Sequence, residues 1–222
     1  APLIQAILAG RAPDAAVFVP PLEPVNLGAR GALVALSDFA DFNEVASRFM
    51  PESLVTFEWQ GDYYAIPVTQ TFPMLFYRSD VFEELGIEPP TTWTEFDEVI
   101  AVIQRNNMRI GLPVISIQLA AAGIATNQIF DMFLYQRGGR YFNDDRSTTE
   151  FDTTQALEAF KQWTRYYTNY SFPLQYSFYT EFRTGEMPIA IEPYTTYNLL
   201  TVGAPEIQGQ WDMLPVPGFV NA

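Results

Sequence analysis

Apolar runs of four to eight residues alternate along the chain with breaks marked by glycine, proline and small polar residues, and the runs switch repeatedly between helical and extended periodicity. Leu3, Ile4, Ile7 and Leu8 recur at helical spacing and Gly10 closes them, predicting a helix at the start. Ala15-Ala16-Val17-Phe18-Val19, bounded by Pro13-Asp14 and Pro20-Pro21, reads as a short buried strand. A second helix is predicted over 24–29. A third, with Phe42, Val45, Ala46 and Phe49 on one stripe, precedes the β-type run Val55 to Trp59. Gln60-Gly61-Asp62 is a turn signal, so Tyr63 to Val68 reads as the returning strand of a hairpin.

The second half of the pattern is bolder. Met74 to Tyr77 is an apolar strand, followed by a helix that Ser79-Asp80 opens and Gly86 stops. Thr92-x-x-Glu95 is a capping box, with Trp93, Phe96, Ile100 and Ile103 on one face behind it. Residues 124–136 read as a largely buried helix stopped by Gly138-Gly139, and 141–151 as a hairpin turning at Asn143-Asp144-Asp145. Asp152-x-x-Gln155 opens an amphipathic helix expected to bury Ala156, Phe160, Trp163 and Tyr167. A helix over 181–185, a strand over 187–191, a helix over 195–202 and a strand over 211–218 complete the chain. Helices and strands alternate throughout, which makes the fold class α/β.

Composition then removes whole classes of function. Twelve Lys and Arg stand against 26 Asp and Glu, a net charge of −14, and Lys161 is the single lysine. A nucleic-acid face needs a basic stripe, and eleven scattered arginines do not make one. With no cysteine there is no disulfide framework or thiol nucleophile, and with no histidine there is no Ser-His-Asp triad. Asn143-Asp144-Asp145 lacks the spacing of a calcium loop and reads as a turn. No cofactor or metal is expected. No stretch reaches 18 consecutive apolar residues, so no membrane span is predicted. The 222 residues amount to about one and a half domains of ordinary size.

Three stretches carry a family likeness, Gly61 to Thr94, Gly138 to Asp152 and Gly185 to Gly218. Gly61-Asp62-Tyr63-Tyr64-Ala65-Ile66-Pro67, then Leu75 to Gly86 and Pro90-Thr91-Thr92-Trp93, form the first. Gly185-x-Met187-Pro188-Ile189-Ala190-Ile191 and Leu214-Pro215-Val216-Pro217-Gly218 follow, with Ala9 to Asp14 and Arg30 to Leu33 upstream. In this order and spacing the sequence resembles the family 1 extracellular solute-binding proteins, receptors of ABC importers for sugars and oligosaccharides. The resemblance implies a periplasmic-binding-protein-like α/β fold of two lobes joined by hinge strands, with the ligand held between them. It places a partial first lobe at 1–73, a second lobe at 74–212 and a return hinge strand at 213–222, with crossings near 67–76 and 212–217. On this division the first lobe is incomplete and the chain is an internal fragment.

Site residues follow from the same resemblance. Glu192-Pro193-Tyr194 stands where the family often has a Gly-Pro pair before a stacking aromatic, so Tyr194 is the expected stacking residue, with Tyr197 nearby. Gln70 and Thr71, in the loop between the lobes, match polar ligand contacts. Asn127 and Gln128 begin the buried helix where a ligand-facing side chain is expected. Phe18 stands at a strand end where open α/β sheets bind ligands, with core packing as its competing role. The implied partners are a small solute, a sugar or oligosaccharide, and the importer's permease subunits. The implied location is extracytoplasmic, at the cell surface or in the periplasm. Signal and lipid anchor lie outside this chain. An enzyme using a carboxylate pair, such as Glu192 with Glu58, remains an alternative, as does a ligand-sensing module for a membrane signalling partner.

Overall fold

The computed structural model describes residues 2–17, 19, 23–68, 72–113, 115–116, 128–145 and 147–219. The chain divides into two compact units, Ala1–Gln70 and Thr71–Ala222.

The first unit is built from short pieces. Helix α1 spans Pro2–Leu8 and ends at Gly10, whose φ of 67° is open to glycine at no steric cost. Residues 15–17, predicted as a strand, are exposed and adopt no regular structure; Phe18 lies outside the described residues. A strand needs a neighbour for its backbone groups, and no such pairing forms among the described residues here. Helix α2 spans Glu23–Gly28. The predicted third helix is broken into α3, Phe42–Ala46, and α4, Pro51–Leu54. Pro51 is the cause: the residue before it, Met50, is driven to an extended φ, ψ of −64°, 131°. A 3-10 turn over Val55–Phe57 takes most of the predicted strand, leaving the hairpin of β1, Glu58–Trp59, and β2, Asp62–Tyr63. Gln60 and Gly61 both have positive φ, the geometry a two-residue hairpin turn demands.

The second unit is a three-layer α/β/α sandwich. Strand β3, Pro73–Tyr77, leads into α5, Ser79–Leu85, and α6, Trp93–Arg105. Strands β4, Ile110–Gly111, and β5, Ile115–Ser116, precede α7, Gln128–Gln136, and α8, Thr154–Thr168. Strand β6, Gln175–Tyr176, pairs with β5 and leads to α9, Phe178–Thr184. The chain continues through β7, Ile189–Pro193, α10, Thr196–Gly203, and β8, Asp212–Pro215. The central sheet runs β4-β7-β3-β8, with β3 antiparallel to β7 and β8 and β4 parallel to β7.

Alternation along the strands sorts side chains into two cores. Leu75, Ile189 and Ile191 join α6, α7 and α8 on one face, around Trp93, Phe96, Ile100, Phe133 and Tyr166. Phe76 and Ala190 join α9 and α10 on the other, with Tyr176, Phe178, Phe182 and Leu200. The capping box forms as predicted: Thr92 Oγ1 accepts the Glu95 N–H, and the Glu95 carboxylate accepts the Thr92 N–H. The buried face of α8 differs from expectation. Ala156, Ala159 and Tyr166 are buried, whereas Phe160 is 51% exposed. Aromatics at 160, 163, 166 and 167 cover too much of the helix circumference for periodicity to choose one stripe. Packing chose it instead, through contacts of Tyr166 with Trp93, Phe96 and Phe133.

Candidate functional site

Strands β4, β7 and β8 point the same way, so their carboxyl ends share one sheet edge, where β3 begins. Open α/β sheets bind ligands outside this edge. Four residues meet there in mirrored register: Pro73 lies opposite Pro193, and the Tyr194 N–H donates to the Phe72 carbonyl at 2.9 Å. Proline before Tyr194 ends the strand ladder and swings the chain into α10.

Aromatic rings extend from this edge. Phe72 and Tyr194 have centroids 5.3 Å apart and planes 22° apart; Tyr194 and Tyr197 are 6.2 Å apart with planes only 5° apart. Tyr197 meets Trp211 edge-on at 5.8 Å, and Trp211 rests against core Phe76 at 6.0 Å. Phe72, Tyr194 and Tyr197 are 50%, 40% and 39% exposed. Three nearly parallel, partly exposed rings, backed by a fourth that rests against the core, form an aromatic platform. Such planes suit the C–H faces of a sugar ring, with hydroxyls left to polar neighbours.

The polar surroundings are uneven. Glu192, next to Pro193, is buried, and its carboxylate accepts a hydrogen bond from the Tyr176 hydroxyl at 3.0 Å. Burial first, and the Glu192 charge second, push the Tyr176 phenol well above its ordinary value, so it remains a donor. At the opposite edge of the sheet Arg78 donates to both carboxylate oxygens of Asp80 and to the Phe182 and Arg183 carbonyls. That arginine closes the C-terminal end of α9 and takes no part in the platform. In the first unit, one carboxylate oxygen of Glu23, at the start of α2, is buried and has no hydrogen-bond partner among the described residues. Glu58 serves the hairpin, accepting the Gly61 N–H at 2.6 Å.

Of the residues picked from sequence, Tyr194 and Tyr197 come together. Gln128 opens α7. Gln70, Thr71, Asn127 and Phe18 lie outside the described residues. Phe72, Trp211 and the Glu192–Tyr176 contact were missed. Phe72-Pro73 and Pro193-Tyr194 carry a signal that pairs them, aromatic and proline in opposite order, legible only once the strands are known to be antiparallel. Among the described residues no group of Asp and Glu is arranged to hold a metal ion, and no helix is long and apolar enough to cross a membrane.

The second unit is an α/β layer structure with a cluster of aromatic rings at one end of its central sheet. A family model described as bacterial extracellular solute-binding protein matches residues 2–218, and the chain belongs to that family. The maltotriose-binding protein of Pyrococcus abyssi is 26% identical over 159 residues, 70% of this chain and 31% of the relative. Among solved structures, the cyclic alpha-maltosyl-1,6-maltose binding protein from Arthrobacter globiformis matches with a TM-score of 0.76 at 22% identity, covering 98% of this chain and 55% of that one. The sugar-binding protein MalE from Xanthomonas citri matches with a TM-score of 0.74 at 20% identity, covering 97% and 55%. The periplasmic sugar-binding-protein fold is thus shared, and the chain spans little more than half the length of these structures.

Proposed function

We propose that this chain is part of a non-catalytic, extracytoplasmic receptor that delivers a sugar or oligosaccharide to the permease subunits of an ABC importer. The observation that carries this reading is the row of exposed rings, Phe72, Tyr194 and Tyr197, at the carboxyl edge of the sheet. A pyranose gains from such a surface by laying its C–H face on a ring, while its hydroxyls stay free for amides and carboxylates. Family membership and the maltotriose-binding relative support a sugar as the solute. Gln70, Thr71, Asn127 and Gln128 belong to this reading as polar contacts, and Phe18 as a contact from the first unit. Closure of two lobes around the solute follows in principle, because contacts made on both sides favour the closed state.

Isothermal titration with maltotriose, after a thermal-shift screen of mono- and oligosaccharides, tests the proposal. Tyr194→Ala should weaken the best sugar at least about tenfold, near 1.4 kcal/mol. Because Tyr194 is exposed, the melting temperature should stay nearly constant. An unchanged dissociation constant would remove Tyr194 from the site. Release of product from a glycoside, abolished in Glu192→Gln, would replace the receptor by an enzyme.

A further inference from the structure

Strand β7 is not held equally along its length. Strand β3 pairs with it from Ile189 to Pro193, whereas β4 meets it, among the described residues, at Ile189 and Ala190. Beyond Ala190, where that second ladder stops, a side chain takes hold of the strand end. Tyr176, the last residue of β6, donates its hydroxyl to the Glu192 carboxylate at 3.0 Å. Strand β6 belongs with β5 to a separate two-stranded sheet, so this bond ties one sheet to the end of another.

The surroundings fit the tie. Tyr176 and Glu192 are 4% and 1% exposed. Glu192 shares a sheet face with Ala190, the face whose core also contains Tyr176. Gly111, at the end of β4, leaves the space: a Cβ there would stand 2.5 Å from the Ala190 Cβ, 2.8 Å from the Met187 sulfur and 3.2 Å from Tyr176 Cζ, the carbon that bears the hydroxyl. A buried phenol and a buried carboxylate each cost free energy when left without a hydrogen bond, so the pair resists separation.

What fixes Glu192 also reaches the rings. Pro193 stands between Glu192 and Tyr194, and its own ring locks φ near about −65°. Pro73 lies opposite Pro193, and neither has an N–H to give to the ladder. Past this pair the strand end is held by the bond from the Tyr194 N–H to the Phe72 carbonyl. Tyr194 then meets Phe72 and Tyr197 in the platform.

We infer that Tyr176 is a positioning residue of the platform: its hydroxyl, acting through Glu192, fixes where the end of β7 presents the Tyr194 ring. The effect on sugar binding rests on the site proposed above; the effect on the ring rests on the strand end alone.

The experiment uses the whole chain, with ring-labelled tyrosine for NMR and maltotriose for titration. The Tyr194 resonances are assigned from Tyr194→Phe. In Tyr176→Phe they should shift, while those of Tyr63, in the first unit, should not. This substitution removes the hydroxyl and leaves every other contact of the Glu192 carboxylate in place. Maltotriose should weaken by about three- to tenfold, bounded by the loss in Tyr194→Ala. Combined with Tyr194→Ala, Tyr176→Phe should change the affinity by less than about twofold, because the ring it positions is gone. A merely structural role would lower the melting temperature of Tyr176→Phe and leave both the Tyr194 resonances and the dissociation constant unchanged, which overturns the inference. An equal loss of affinity with and without the Tyr194 ring overturns it too. Should the wild type bind no maltotriose while the Tyr194 resonances still shift in Tyr176→Phe, the sugar site falls and the positioning stands. If Tyr176→Phe fails to fold, adding Glu192→Gln removes the charge left beside the lost hydroxyl and should give the same shift.

Discussion

Tyr194 and Glu192 sit two residues apart, just beyond and at the end of β7, the first partly exposed and the second buried. Tyr194 was proposed from sequence because Pro193-Tyr194 stands where the resembling family has a proline before a stacking aromatic. The Tyr176–Glu192 contact was not, because it joins β6 to β7 across sixteen residues of chain and the local sequence around Tyr176 gives no hint of a partner. Asp131 shows another contact of this kind. Its carboxyl lies above the ordinary range because burial outweighs the lowering by the Tyr141 hydrogen bond. The folded state therefore prefers the neutral carboxyl, and the stability present below the unfolded pKa of about 3.9 is lost as pH rises through the folded value. Asp131→Asn, a mimic of the neutral form, should be more stable than the wild type at pH 7 and indistinguishable from it near pH 3. Thermal denaturation at several pH values checks this, and an equal gain at both ends would refute it.

At the scale of elements, local chemistry fixed what it could reach within a few residues. The Thr92 and Glu95 box and the Gly86 stop form as the sequence demands, since each is a bond or a dihedral within one turn. Thr92→Ala should cost about 1 kcal/mol. Its melting temperature should fall by about 2–4 °C, as expected for a protein of this size. The α3 break at Pro51 was also local, yet the apolar stripe through Phe49 masked it. Burial of α8 was a non-local matter. Phe160→Gln should stay within about 0.5 kcal/mol of the wild type, whereas Tyr166→Ala should cost about 3–5 kcal/mol. Chemical denaturation of the two variants distinguishes the observed face from one centred on Phe160.

At the scale of the molecule, the buried residues of both cores of the second unit fall, among the described residues, between 75 and 207, with partly buried Met74, Trp211, Met213, Val216 and Phe219 packed at their margins. A segment covering 71–222 should therefore unfold cooperatively by itself, with near-ultraviolet and far-ultraviolet dichroism changing together. Separate transitions by the two probes would show that this unit depends on the other. The sequence by itself determined the α/β class, the hydrophobic order of the strands, the helix stops and the likeness to solute-binding receptors, because these rest on composition and on contacts a few residues apart. Only the tertiary structure decided that Phe72, Tyr194, Tyr197 and Trp211 come together, that the Tyr176 hydroxyl meets the Glu192 carboxylate, and which side of α8 is buried. Those pairings join residues up to 135 positions apart, as in the contact of Phe76 with Trp211. They exist because an antiparallel β3 brings the start of the unit's first strand beside the end of β7, a juxtaposition no local pattern encodes.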